Sequence, residues 1–218
     1  MTLAYPLTDP RTARPSSALG EVIERLGVRM SYGREQEIYA QEDPVEFLYC
    51  VISGVVRTTR LTPDGRRLIG DFYYAGDIFG LEPGPDHQFG AEALSDCEVQ
   101  VVRRAAARAH AGDAELNRAV LEATGRELAR AQEHLMLLGR KTACEKVASF
   151  LLEMADRSKA EVVTLPMGRQ DMADYLGLTI ETVSRMLTQL QADGLVEFTG
   201  CRHFRIKHRA AMARLVVT

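Results

Sequence analysis

The most restrictive stretch of this chain is residues 169–193, Arg-Gln-Asp-Met-Ala-Asp-Tyr-Leu-Gly-Leu-Thr-Ile-Glu-Thr-Val-Ser-Arg-Met-Leu-Thr-Gln-Leu-Gln-Ala-Asp. It reads as two short helices joined by a glycine turn. Helices cross closely only where a small residue sits between them, and Ala173 occupies that position. Four residues on, Gly177 can adopt the left-handed turn that residues with a Cβ resist. Met172, Leu176, Leu178, Val183 and Met186 supply the apolar set. Burying these leaves Glu181, Thr182, Ser184, Arg185 and Gln189 on the outer face of the second helix. A recognition helix presents that face to the major groove of DNA.

Composition removes several other classes. The chain has 218 residues, 46% of them hydrophobic and 26% charged, enough for a core and two domains. No apolar run approaches the roughly 20 residues that span a bilayer, and the N-terminus lacks a basic region followed by an apolar core. No membrane association and a cytoplasmic location are expected by default. The four cysteines, Cys50, Cys97, Cys144 and Cys201, form no C-x-x-C pair, which argues against zinc ribbons, redox dithiols and disulfide frameworks. Inert buried thiols are the plain reading. From position 140 onward there are 12 basic and 9 acidic residues, against 15 and 21 before it. A basic C-terminal part on an acidic body suits phosphate binding, although such runs are also ordinary solvated surface.

The rest of the chain falls into order around that motif. Residues 1–18, with three prolines, read as a loose arm, and the spacing predicts a short helix over 18–28. From 29 to 103 the period becomes that of strands. Gly54 interrupts the first long run, and Thr62-Pro-Asp-Gly-Arg is a hairpin signal. A small antiparallel barrel or jelly roll follows. A proline-free helical pattern covers 113–140. Within it Leu121, Thr124, Leu128, Ala131, Leu135 and Leu138 alternate three- and four-residue steps, as the seam of a dimeric coiled coil does. The same stripe could instead pack only on its own barrel. A helix over 142–157, a strand over 162–165 and a β-wing over 198–206, with Thr199-Gly200 at its tip, complete the pattern. The fold class is α+β: an N-terminal arm and helix (1–28), a β-roll (29–112), a dimerisation helix (113–140) and a winged helix-turn-helix (141–218).

This order resembles the CRP/FNR superfamily of bacterial transcription regulators along essentially the whole chain. The resemblance rests on Leu48-Tyr-Cys-Val-Ile-Ser-Gly-Val-Val-Arg, Pro63-Asp-Gly-Arg-Arg and Gly76-Asp-Ile-Phe-Gly in the barrel. It rests also on Leu137-Leu-Gly-Arg-Lys-Thr-Ala-Cys-Glu-Lys-Val-Ala-Ser-Phe-Leu at the junction. Most specific is Asp174-Tyr-Leu-Gly-Leu-Thr-Ile-Glu-Thr-Val-Ser-Arg, similar to the FNR/FixK branch. The resemblance implies a homodimer on double-stranded DNA, reading a TTGAT-N4-ATCAA-like inverted repeat. Arg185 would then donate to guanine, Glu181 would accept from a base amino group and Ser184 would contact thymine. Arg169, Gln170, Thr179 and Thr182 would hold phosphates. Ile180 stands where the cAMP-receptor branch has arginine, which favours the FNR/FixK type of site. Taken alone, Glu181 could merely complement the helix dipole behind an N-cap Thr179, and Arg185 could pair with Glu181 four residues earlier.

The barrel departs from the sensing members. Where the cyclic-nucleotide branch has a Gly-Glu pair and a later arginine, this chain has Gly80-Leu81-Glu82 and Gln88-Phe89-Gly90-Ala91. No arginine lies between Arg67 and Arg103. Cys97 matches the barrel cysteine of the iron–sulfur branch and is a candidate redox thiol, but one thiolate cannot hold a cluster that needs about four ligands. His87 is the only histidine in the strand region 29–103, and a haem site has no further support. The seam carries only small or apolar residues and Thr124, so dimerisation and DNA binding without a cofactor are expected, with activity set by the amount of protein. No catalytic or metal-ligating residue stands out, since His134, His203 and His208 are scattered and the barrel has no His-x-His. Alternatives are gating by an unidentified small molecule or by cysteine oxidation, a regulator acting only through protein contacts, and, remotely, a cupin-type metalloenzyme. The loop 156–161 and exposed barrel loops would touch RNA polymerase, which leans towards an activator.

Overall fold

The computed structural model describes residues 17–158 and 160–216, so nearly all of the expected arm lies outside the described residues. The chain divides into two compact units, with the break between Ala131 and Gln132.

The first unit opens with α1 (Ala18–Leu26), whose start is fixed by Ser17: its hydroxyl accepts the Gly20 N–H at 3.1 Å. The helix stops at Gly27, and Val28 already begins β1 (Val28–Tyr32). The helix predicted to 28 is therefore shorter. The strands β2 (Glu37–Tyr39), β3 (Phe47–Ser53), β4 (Val55–Leu61), β5 (Arg67–Tyr74), β6 (Ile78–Phe79), β7 (Gly90–Ala93) and β8 (Cys97–Arg103) follow. They form two four-stranded sheets, ordered β1-β8-β3-β6 and β2-β7-β4-β5. Gly54 makes the β3–β4 corner possible: its φ is +81° and a Cβ there would collide with the Asp96 carbonyl. Tyr39, Tyr49, Val56, Tyr73, Phe79 and Val99 are among the side chains packed in the core.

A short helix α2 (Arg104–Ala111) precedes α3 (Asp113–Arg140). The strand period ends at 103 as expected, and residues 104–111 close the β-roll segment with a helix that the sequence pattern did not indicate. The run Arg-Ala-Ala-Ala-Arg-Ala-His-Ala is dominated by alanine, the strongest helix former, and Ala107 anchors it. Leu116, Ala119 and Ala123 of α3 pack with Leu19, Ile23 and Leu48 in a second cluster. Further along the same side of α3, the Tyr73 hydroxyl donates to Glu127 Oε1 at 2.7 Å. Arg130 pairs with Asp71 at 2.7 Å and donates to the Phe72 carbonyl. The α3 stripe that packs on the barrel is thus 116–119–123–127–130. Leu121, Leu128 and Leu135 are 72%, 58% and 68% exposed. Packing of the leucine stripe on its own barrel does not occur among the described residues.

Burial pushes the Glu127 carboxyl up from its ordinary 4.5 to about 7, while Tyr73 and Arg130 pull the other way. Between these values the folded chain keeps a proton that the unfolded chain has released, so stability falls as pH rises through that window. Glu127→Gln is expected to gain on the order of 2 kcal/mol at pH 8, where the wild type carries the full cost of ionisation. The gain should vanish near pH 4.5. Urea unfolding at pH 4.5, 6 and 8 measures it, and an equal effect at every pH would show that Glu127 does not titrate there.

The second unit contains α4 (Ala143–Ser158), β9 (Val163–Thr164), α5 (Arg169–Leu176), α6 (Ile180–Ala192), β10 (Val196–Thr199), β11 (His203–Ile206) and α7 (Arg209–Val216). The small sheet runs β10-β11-β9. The strand expected over 162–165 is only Val163–Thr164, and the wing begins two residues earlier than expected. The wing turn is Gly200-Cys201-Arg202, with Thr199 still in the strand. Beyond the wing the chain forms helix α7, which the sequence pattern did not indicate and which is anchored by buried Met212. Among the described residues no helix is long and apolar enough to cross a membrane.

Candidate nucleic-acid interface

The interface is built from the turn outward. Gly177 ends α5 in the left-handed conformation, φ +61° and ψ +41°. Ala173, at 1% exposure, accepts the Leu178 N–H at 3.0 Å and lets the two helices meet. Thr179 then starts α6 by accepting the Thr182 N–H at 3.2 Å. The last turns of α3 brace this unit from behind. His134 stacks on Tyr175 and its Nε2 lies 2.8 Å from the Tyr175 carbonyl. The Lys146 ammonium donates to the Leu176 carbonyl. Leu138, a candidate for the dimer seam, is half-buried and lies beside Gly177.

Helix α6 buries Val183, Leu187 and Leu190. Of the apolar set read from the sequence, Met186 and Leu178 are only half-buried, and Leu187 and Leu190 take the core positions instead. The step from Val183 to 187 and 190 is the helical repeat, and extending it by one turn would have found them. The opposite face carries Glu181, Arg185 and Gln189, with Thr182 and Ser184 half-buried beside them.

The electrostatics of that face are local. The Glu181 backbone N–H and the Thr179 hydroxyl hold the Glu181 carboxyl below the usual carboxylate value, so it is a fixed anionic acceptor at the start of the helix. Arg185 is exposed, and among the described residues it has no ion pair or hydrogen bond, with Glu181 or any other group. Arg169 Nη1 donates to Ser184 Oγ at 3.2 Å, and Gln170 bonds Asp174 at 2.8 Å. The basic surplus of the C-terminal part is largely committed elsewhere. Arg202 donates to the Pro166 carbonyl, Arg205 and Lys207 face Glu197, and Arg209 pairs with Asp156. Net charge is therefore a poorer guide to the interface than the uncommitted Arg185 on α6. Asp156, expected to open a loop, belongs to the last turn of α4.

The remaining candidate residues lie elsewhere. Leu121, Leu128, Ala131 and Leu135 are exposed along α3, and Thr124 is half-buried. Cys97 is buried, and burial followed by Asp96 pushes its thiol up to about 11. A buried, protonated thiol is a poor nucleophile, which counts against a redox role for it. His87 is 1% exposed and stacked on Tyr39 with ring centroids 3.7 Å apart; both its ring nitrogens are buried, with Nδ1 3.2 Å from Glu82, which leaves no opening for a haem to reach them.

A β-roll, a long helix and a winged helix-turn-helix together define a DNA-binding transcription regulator. A family model described as the Crp-like helix-turn-helix domain matches residues 145–215, and one for the cyclic nucleotide-binding domain matches 29–110. The chain belongs to the CRP/FNR family of transcription regulators, in its FixK-like branch. It is 46% identical to the nitrogen fixation regulation protein FixK of Azorhizobium caulinodans, over 94% of this chain and 84% of that protein. It is 38% identical to the transcriptional activatory protein AadR of Rhodopseudomonas palustris, over 81% and 76%. The structure of FixK2 from Bradyrhizobium japonicum superposes with a TM-score of 0.84 at 45% identity, covering 88% of this chain and 98% of that one. These relatives are regulators and not enzymes.

Proposed function

We propose that the protein is a homodimeric transcription activator that reads a TTGAT-N4-ATCAA-like inverted repeat through Glu181, Ser184 and Arg185. The observation that carries this is Arg185: an exposed guanidinium without a partner among the described residues, on the face of α6 opposite its buried stripe. A planar fork left free on a groove-facing helix suits the O6/N7 pair of guanine. Glu181 stays ionised and can accept from a base amino group while it caps the helix. Arg169, Gln170, Thr179 and Thr182 hold phosphates around it.

The exposed leucines of α3 support a dimer, which two half-sites one helical turn apart require. AadR is named as an activator, and the exposed barrel loops with the segment after α4 are the surfaces for RNA polymerase. The barrel does not fit a cyclic phosphate. Glu82 brings a carboxylate to that loop, and the nearby Arg104 guanidinium is donated to the Gly80 and Glu82 carbonyls. DNA binding is thus expected of the protein without a cofactor. The test is binding of the purified, metal-free protein to a duplex with both half-sites and to a scrambled duplex. A preference of about 10³-fold or more is expected, the lower end for specific binders. Equal binding to both duplexes would refute the reading.

A further inference from the structure

On the reading that a dimer binds an inverted repeat, we propose that His134 is a positioning residue that locks the helix-turn-helix to the end of α3. This joint sets which spacing between half-sites the protein accepts. All of its residues belong to the second unit, which begins at Gln132 and takes in the last turns of α3.

Helix α5, like any helix, ends with carbonyls that have no partner inside it. It also has no basic residue in its own last turn to offset the negative end of its dipole. Two donors from other helices fill that role. The Lys146 ammonium of α4 reaches the Leu176 carbonyl at 3.3 Å. His134 of α3 reaches the Tyr175 carbonyl at 2.8 Å. A carbonyl only accepts, so the His134 Nε2 carries the proton. The imidazole also lies flat on Tyr175, with ring centroids 4.0 Å apart and planes 16° from parallel. Tyr175 is buried and packs in turn against Phe150 of α4. One turn further along α3, Leu138 lies beside Gly177. His134 and Leu138 are four residues apart and share one face of the helix. That face grips the end of α5 and the turn that aims α6.

Leu135 belongs to the same turn of α3 and is 68% exposed. It stands roughly 60–100° round the helix from His134 and Leu138. A single helical turn therefore offers Leu135 to the partner protomer of the proposed dimer and His134 to the helix-turn-helix. In a two-fold dimer the same angle is set twice, and it fixes the separation and rotation of the two α6 helices. Each base pair added between half-sites turns the second one by roughly 35° and shifts it by about 3.4 Å. A rigid pair of helices cannot follow such a change, whereas a loosened pair can.

The experiment measures binding to duplexes whose half-sites are three, four or five base pairs apart, and to a duplex with one half-site. Wild type is expected to bind the four-base-pair spacer about 10²-fold or more tighter than its neighbours, since bivalent binding is lost where geometry forbids it. His134→Ala should shrink that ratio by about tenfold or more, because a loose joint spreads the second α6 over more orientations. It should keep the single-half-site affinity and remain a dimer on sedimentation. His134→Gln, which keeps a donor, should recover part of the ratio. Should the alanine variant not fold, His134→Phe, which keeps the ring stack without the donor, carries the same test. Lys146→Met is the control: it removes the other donor to α5 without touching α3, so it should lower the melting temperature and leave the ratio alone. Equal losses on every duplex in His134→Ala would overturn the proposal and leave His134 a helix cap. So would a monomeric His134→Ala protein, or a Lys146→Met protein that flattens the ratio as much. A wild type that binds two half-sites no better than one has lost the inverted-repeat reading itself. One that prefers two but accepts every spacer keeps that reading and loses the joint.

Discussion

Leu128→Glu is expected to turn the protein into a monomer at micromolar concentration, with its fold unchanged and its affinity for the palindromic duplex lost. Leu121, Leu128 and Leu135 recur at seven-residue steps on one side of α3 and stand largely in solvent. In a two-fold dimer each meets its own copy, so three leucines become six buried ones. At about 1.5–3 kcal/mol for each fully buried side chain, six supply roughly 9–18 kcal/mol. Association costs on the order of 4–15 kcal/mol before anything is gained, so the seam suffices for a dimer without much surplus. One substitution removes two central leucines, about 3–6 kcal/mol, and sets two carboxylates face to face. A loss of about 10²- to 10⁴-fold in the dimer constant follows, since about 1.4 kcal/mol is tenfold. Sedimentation equilibrium reads it directly. Because Leu128 is exposed in the single chain, its melting temperature at dilution should hardly move. Leu116→Glu is the contrast: Leu116 is buried in the α1–β3 cluster, so that variant should fail to fold. A Leu128→Glu protein that stays dimeric would place the interface elsewhere.

The difference between those two leucines shows how far the sequence could be read. Period alone located α3 and its leucine stripe, because a seven-residue repeat with no internal proline fits little besides a long helix. It could not show that a second stripe, 116–119–123, was the one buried against the barrel. Ala119 and Ala123 are too small to stand out in a hydrophobicity pattern, and Glu127 and Arg130 are polar. Their partners, Tyr73 and Asp71, lie more than fifty positions away. The turn of the helix-turn-helix was legible for the opposite reason: Ala173 and Gly177 are required by local geometry, four residues apart. Helices α2 and α7 were missed because each is a single short stretch held by one buried side chain, Ala107 or Met212, and one residue makes no period. The Arg169–Ser184 contact spans fifteen residues across that turn, and spacing rules for a single helix do not reach it. Charge was the least reliable signal, since Arg205 of the wing and Arg209 of α7 proved to be paired with Glu197 and Asp156.

Arg185→Ala should remove sequence preference while sparing salt-dependent, non-specific binding. A bidentate arginine–guanine pair is worth about 1–3 kcal/mol against the wrong base. A dimer makes two, so the preference over a scrambled duplex should fall by roughly 2–6 kcal/mol, about 30-fold to 10⁴-fold. Non-specific binding depends on phosphate neutralisation. It should change little if Arg169 and the residues around it carry that task. Stability should not change, because Arg185 is exposed and has no partner among the described residues to lose. Arg185→Lys is the sharper variant: it keeps the charge but not the fork, so it should retain the salt dependence and still lose most of the preference. Replacing the half-site guanine by 7-deazaguanine removes N7 from the DNA side and should cost the wild type much of what Arg185→Ala costs. On that modified duplex Arg185→Ala should cost little more. Full additivity of the two changes would mean that the arginine reads something other than that guanine. Retained preference in Arg185→Ala would mean that Glu181 is no more than a helix cap and that sequence is read through another surface.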